Sequence, residues 1–443
     1  MVTLSELAVE LAAGHTTSRE LVDECLSRIG DPEREGVRTY LEVDADGARE
    51  VATAMDRQRR VGAEPSPYAG IPVSVKDVFD VRGQVTRAGS RALDRAPAKH
   101  DATAVARWRR AGLVFVGRTN MTEFAYSGLG VNPHYGTPAN PWDRPRRRIP
   151  GGSSSGAAVS ISDGMAHGAL GTDTGGSVRI PAALCGLVGF KPTQSRVPRD
   201  GTIPLSSTLD SVGVLGRTAA CCAVLDALLG ADRPLSLRPT ASLPRLAVPR
   251  NYLFADAEPP VAEAFERAVG RLRAAGAEVF DLEVPELDAI AEMNTGGGFA
   301  AAESFAWHHD LIAKREASYD PRVLERIRRG ERQTARDLIV LHERRRALID
   351  GVRGRLEGFD AFVCPTVPLV APPLDRLDDD GEYARVNLLM LRNPTVVNLL
   401  DGCAASLPMH EPDEPPTGLM VAGFAGEDER ILRIAAWIEA CTR

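Results

Sequence analysis

Apolar residues recur with a helical period from the start of the chain. Leu4, Leu7, Ala8 and Leu11 share one face, and Leu21, Val22, Cys25 and Ile29 repeat the pattern behind a Thr16-Thr17-Ser18 cap. Residues 46–61 read as a further helix, with a short strand over 39–43 before it. The pattern then changes. Residues 70–81 form a buried-strand run in which Val73 and Val75 face one way and Ser74 and Lys76 the other. A helix over 103–111 and a strand over 113–117 follow, an alternation that implies layers of strands and helices.

The centre follows neither period. Residues 151–190 hold ten glycines, yet apolar runs at 157–161, 180–184 and 187–190 are threaded through them. A flexible linker would lack those runs, so the tract reads as packed backbone that needs unusual dihedrals and close approach. An apolar helix over 219–230 comes next, then a surface connection over 232–244. Beyond it the pattern predicts strand 245–249, helix 261–275, strand 277–282, helix 334–353, strands 359–366 and 418–423, and an amphipathic helix over 427–441. No fixed repeat is visible. The expected architecture is one large α/β domain over 1–443, with an N-terminal helical part over 1–65, a catalytic core over 70–220, and a helical segment over 285–355 that covers a site.

Composition narrows the function. A net charge of −7 argues against general attraction to nucleic acid or an anionic membrane, and runs such as Arg146-Arg147-Arg148 are too short to change that. No stretch of eighteen apolar residues predicts a membrane span, and the first residues lack the features of a secretory signal. Seven irregularly spaced cysteines among apolar neighbours suggest buried thiols in a reducing, cytoplasmic setting. With no HExxH and no paired CxxC, the expectation is no metal and no cofactor. One bias stands out: of 53 basic residues only Lys76, Lys99, Lys191 and Lys314 are lysine.

The densest chemistry lies in Gly151-Gly152-Ser153-Ser154-Ser155-Gly156 and in Gly171-Thr172-Asp173-Thr174-Gly175-Gly176-Ser177. The first formally contains G-x-S-x-G centred on Ser154. A nucleophile elbow needs a hydrophobic strand before it, however, and residues 144–150 are arginine- and proline-rich. No phosphate-loop pattern is present either. In the second segment, small residues before Ser177 let successive backbone N–H groups converge, as an oxyanion requires. Ser177 then needs a base, and His167 lies in no convincing motif. Lys76 is the remaining candidate, because a desolvated lysine can lose its proton where an arginine cannot. The competing reading, a lysine paired to the adjacent Asp77, stays open at this point.

Residues 70–77, 150–156, 171–181 and 189–193 together resemble the core motifs of the amidase signature family. The resemblance extends to Arg118-Thr119-Asn120-Met121-Thr122-Glu123-Phe124, Asn140-Pro141-Trp142, Cys364-Pro365-Thr366 and residues 416–423. It implies a central mixed sheet with helices on both faces and a Ser–cisSer–Lys triad. By motif, Lys76 would be the base, Ser153 the intermediary behind a cis peptide bond, and Ser177, 24 residues further on, the nucleophile. The N–H groups of Thr174, Gly175, Gly176 and Ser177 would form the oxyanion hole, with Gly152 and Ser154 near the substrate. The implied reaction is hydrolysis of a small linear amide through an acyl-enzyme on Ser177. Asp173 and Arg179 are expected to pair and hold the loop, while Asn120, Glu123 and Lys191 read as architectural.

Departures from the family pattern are mild: serine at 155 where many members have glycine, and Gln194-Ser195 for a frequent Tyr-Gly. Glutamine-dependent members tend to read G-G-S-I-R-Q-P, and Ser177-Val178-Arg179-Ile180-Pro181 lacks that glutamine. This favours small-amide hydrolases over the glutaminase component of a glutamyl-tRNA(Gln) amidotransferase. A non-catalytic scaffold is disfavoured because all three triad residues are intact. The expected partner is a small-molecule amide, with a homodimer or a small accessory protein left open.

Overall fold

β-Branched and apolar residues over Tyr40–Val43 (β1), Pro72–Lys76 (β2) and Val114–Thr119 (β3) open a sheet that grows to eleven strands. It continues through Ala169–Asp173 (β4), Val188–Lys191 (β5), Ser211–Gly216 (β6), Arg245–Pro249 (β7), Glu278–Leu282 (β8), Ala361–Pro365 (β9), Cys403–Pro408 (β10) and Gly418–Gly423 (β11). A computed structural model of the chain describes residues 2–230 and 243–442. The expected surface connection over 232–244 therefore lies almost wholly outside the described residues.

The strand order is β1-β3-β2-β4-β6-β5-β10-β11-β9-β7-β8. Parallel pairs near each end (β2 with β3 and β4, β7 with β8 and β9) flank an antiparallel centre, so the sheet is mixed. Successive residues enter opposite layers. Leu170, Val214, Val363 and Val421 join one core, with Phe265, Leu225 and Ile434 from helices Pro259–Ala274, Ala219–Gly230 and Asp428–Thr442. On the other face Ala169 and Leu215 meet Ala157 and Ile161 of helix Ser155–Ser162. Further along that face Phe362 and Met420 meet Val396 and Val397 of helix Asp380–Leu399, together with Leu348 of helix Ala335–Arg355.

Most predicted elements are present within one or two residues. Thr17 caps helix Ser18–Gly30 with a reciprocal bond from Glu20. The strand expected over 70–81 stops at Lys76, because the Phe79 N–H turns back to the Lys76 carbonyl and Asp77 binds elsewhere. The pattern missed β4, β5, β6, β10 and helix Asp380–Leu399. The strands are short and all but β5 rich in small residues, and the helix is apolar on several sides because it is buried deeply, so neither period stands out. The 285–355 stretch is built mainly from helices Ala289–Met293, Gly298–Arg315, Pro321–Arg328 and Ala335–Arg355.

Candidate active site

Lys76 ends β2, a strand buried along its whole length. Val73 and Val75 join the apolar core on one side, while Ser74 reaches Ser160 under helix Ser155–Ser162 at 2.9 Å. Parallel pairing of β2 with β4 carries Thr172 alongside Lys76. Lys76 Nζ donates to Ser153 Oγ at 2.7 Å and to Thr172 Oγ1 at 2.9 Å. Both partners are hydroxyls and the amine is fully buried. Burial pulls the ammonium down to about 7, against the opposing pull of Asp173 and Asp210. Asp77, the alternative partner, faces away and pairs with buried Arg118 at 3.1 Å while accepting from the N–H groups of Arg87 and Gly89. The ion-pair reading of Lys76 therefore does not hold.

The peptide bond between Gly152 and Ser153 is cis. A Cβ on Gly152 would lie 2.5 Å from the Gly130 nitrogen, so only glycine allows the two loops to meet there. The Ser154 N–H donates to the Ser177 carbonyl at 3.2 Å, which joins the two Gly/Ser segments predicted to act together. Among the described residues no hydrogen bond runs from Ser153 Oγ to Ser177 Oγ. The link from lysine to the first serine is thus formed, and the link between the serines is open.

Asp173 gathers the loop that carries Ser177. Its carboxylate accepts from the N–H groups of Gly176 at 2.9 Å and Val178 at 3.1 Å, pairs with Arg179 at 2.8 Å, and binds Asn398 Nδ2 at 3.0 Å. Burial would push this carboxyl up, but the Arg179 guanidinium and the hydrogen bonds hold it well below the usual range. The expected structural pairing of Asp173 with Arg179 is thus present. Gly176 adopts φ +118°, and a side chain there would meet Pro394 at 2.5 Å. Of the four expected oxyanion donors, the Gly176 N–H is turned inward onto Asp173. Those of Thr174, Gly175 and Ser177 find no partner among the described residues.

Thr174, Gly175 and Ser177 line a cavity of about 580 Å³. Its walls come from the loop at Tyr126, from Leu205 and Leu209, from the helical segment (Phe299, Ala300, Arg326, Arg329), and from Leu388, Leu391 and Arg392 of helix Asp380–Leu399. Gly152 and Ser154 do not line it; Ser154 Oγ points back to the Thr172 carbonyl at 3.5 Å. His167 is buried with both ring nitrogens unpartnered and bonds to neither serine. Lys191 donates to the Gly402 and Pro192 carbonyls, and Asn120 to those of Arg38 and Gly136, so both tie loops together.

Three residues escaped the sequence reading. Arg326 lies over the Tyr126 ring at 4.5 Å, with Nη1 buried and unpartnered. Among the described residues no carboxylate lies in ion-pair range of it, and burial depresses its basicity. Asn398 binds Asp173 and Arg179, and Asp210 binds Thr174, all in the segment that carries Ser177. An arginine every few positions in the helical segment hid the first, and no local signal marked the others.

Fold and site together define an amide hydrolase, and comparison with known proteins agrees. The family model described as amidase matches residues 20–432. The chain is 36% identical to a 2-amino-5-chloromuconic acid deaminase from Comamonas testosteroni, over 99% of this chain and 96% of that protein. It is 34% identical to the A component of the glutamyl-tRNA(Gln) amidotransferase of Roseiflexus sp. (strain RS-1), over 98% of this chain and 95% of that protein. The crystal structure of an amidase superposes with a TM-score of 0.90 at 32% identity, covering 100% of both chains. The chain belongs to the amidase signature family. It is an enzyme that hydrolyses amides. No helix among the described residues is long and apolar enough to cross a membrane.

Proposed function

We propose that the chain hydrolyses a small linear amide that carries a carboxylate, through an acyl-enzyme on Ser177. The observation that carries the chemistry is Lys76 Nζ, fully buried and 2.7 Å from Ser153 Oγ, behind a serine that opens onto the cavity. In the reactive complex Lys76 takes the Ser153 proton as Ser153 takes that of Ser177, and Ser177 Oγ adds to the amide carbonyl. The Thr174, Gly175 and Ser177 N–H groups receive the oxyanion. The proton on Lys76 returns through Ser153 to the leaving nitrogen as the C–N bond breaks. Water then adds to the ester by the same relay, giving a carboxylic acid and ammonia or an amine.

Arg326 supports the carboxylate. A guanidinium with a buried, open Nη1 on the cavity that holds the reacting serine calls for an anion, and none of the described carboxylates supplies it. The deaminase relative is named for an acid substrate, in keeping with this reading. The 285–355 segment would act as the cover that brings Arg326 to the substrate, and Gly152 and Ser154 would serve the loop rather than the substrate. A partner, whether a second copy or a small accessory protein, would dock outside this cavity.

The test is an ammonia-release screen over neutral amides, the same amides bearing a carboxylate, and glutamine, combined with fluorophosphonate labelling. The expected result is labelling at Ser177 and faster turnover of carboxylated amides. An active Ser177→Ala variant would end the proposal, and a preference for glutamine would move the chain to the amidotransferase branch.

A further inference from the structure

Asp210 belongs to none of the motifs above, yet it touches both halves of the proposed machinery. It precedes β6 and is 7% exposed. Its Oδ1 accepts from Thr174 Oγ1 at 2.5 Å and from the Ser206 N–H at 3.1 Å, and its Oδ2 accepts from the Leu205 N–H at 3.0 Å. Thr174 is the first residue of the N–H nest. Asp210 also lines a second cavity, about 520 Å³, that shares no lining residue with the one before Ser177. Thr172, whose hydroxyl accepts from Lys76 Nζ, forms part of the same wall.

Two buried carboxylates act on Lys76, Asp173 and Asp210. They differ in what neutralises them. Asp173 acts the more strongly but is paired directly with Arg179, whose opposite charge offsets part of its field. Asp210 has no cation within ion-pair distance among the described residues. Arg199, which lines the second cavity, donates to the Ser207 carbonyl and acts on Asp210 only from beyond ion-pair distance. Burial pushes the Asp210 carboxyl up to about 6, against the Thr174, Ser206 and Leu205 donors.

We infer that Asp210 is a positioning residue for the amide hydrolysis proposed above: it tethers Thr174 in the oxyanion nest and supplies a negative charge, outside any direct ion pair, against which Lys76 accepts a proton. The two roles separate by mutation. Asp210→Asn keeps the size and an acceptor for the Thr174 hydroxyl but removes the charge. Thr174→Val removes the tether and keeps the charge.

The experiment measures kcat, KM and the pH profile of kcat/KM for both variants, with folding checked by near-UV circular dichroism. For Asp210→Asn the expected result is a kcat about tenfold lower, an unchanged KM, and an acidic limb displaced to lower pH by about half a unit or more, because the Lys76 ammonium loses a stabilising charge. For Thr174→Val the expected result is a comparable loss of kcat with the limb displaced by less than about 0.2 unit. A folded Asp210→Asn enzyme whose limb stays in place would overturn the electrostatic role. Wild-type kcat in Thr174→Val would overturn the tether. If Asp210→Asn fails to fold, the pH dependence of fluorophosphonate labelling in Asp210→Ser, which removes the charge with a smaller side chain, replaces it: a limb displaced to lower pH supports the inference and an undisplaced one overturns it. A failure of the parent reading looks different, since Ser177→Ala would then retain activity whatever the Asp210 variants do.

Discussion

The cavity has two walls made in opposite ways. On the side of Ser177 the chain runs through glycines and serines, and almost every residue from 150 to 193 is buried. Asp173 alone organises Gly176, Val178, Arg179 and Asn398. On the facing side, the helical segment contributes Arg326 and Arg329, and helix Pro321–Arg328 buries only Val323 and Ile327. There Arg326 lines the cavity beside Arg329 and Arg392, and its Nη1 is buried without a partner. Close-packed backbone with satisfied bonds suits fixed reaction geometry, because it leaves no room for the reacting oxygens to wander. A wall of helices with one unsatisfied cation suits selection among substrates, because its side chains can be exchanged without disturbing the nest.

Substitutions on the two walls should therefore give different kinetic signatures. The largest effect is expected on the inner wall: Ser177→Ala and Lys76→Ala should each lower kcat by about three orders of magnitude or more, as removal of one member of a catalytic unit does. A loss under tenfold, measured by ammonia release, would erase the contrast.

Lys76 also gives the inner wall a pH signature. In the wild type kcat/KM should rise as pH passes about 7, where the buried amine loses its proton. The same depression acts on stability. Between about pH 7 and the ordinary lysine value of about 10.4, the unfolded chain holds a proton that the folded chain has released, so folding stability gains with rising pH in that window. Denaturant titrations of Lys76→Met should lack that gain, and the variant should compare best with wild type below pH 7.

On the outer wall, Arg326→Met should raise KM for a carboxylated amide about thirtyfold or more, corresponding to the ~2–5 kcal/mol typical of a buried charged contact. The same variant should leave the rate of Ser177 labelling unchanged. Equal losses for neutral and carboxylated amides would remove the distinction between the walls.

The smallest expected effect lies where the walls meet. Asn398, on helix Asp380–Leu399, donates to Asp173 and accepts from Arg179 at 2.7 Å. Asn398→Ala leaves those buried groups short of partners and should destabilise by about 1–3 kcal/mol, read from urea unfolding. Leu388, on the same helix but 64% exposed, should tolerate alanine within about 0.5 kcal/mol.

Legibility followed the same division. Lys76 stands out in the sequence because lysine is rare here and β2 alternates cleanly. Ser177 stands out because a nest of small residues precedes it. The Ser154 elbow could be dismissed because no strand leads into it, and helix Ser155–Ser162 indeed follows an irregular segment. The helical wall offered no such contrast. Arg326 stands among Arg322, Arg328, Arg329 and Arg332, and no sequence pattern distinguishes the guanidinium stacked on Tyr126 from those that meet solvent. Helix Asp380–Leu399 was missed because it is apolar on several sides, and β4, β6 and β10 because small residues there leave little alternation to read.

The sequence by itself determined the layered α/β class and the family motifs, which depend on residue type and local spacing, and the resemblance those motifs carry named the three side chains proposed for the reaction. Tertiary structure decided that Asp77 turns to Arg118 and leaves Lys76 to hydroxyls, that the Gly176 N–H serves Asp173, and that Asp210 and Arg326 reach the site. Apart from the local bond between Gly176 and Asp173, those outcomes rest on contacts between segments tens to hundreds of residues apart. Burial, which sets the charge on Lys76 and the need for a partner at Arg326, exists only once those segments have packed.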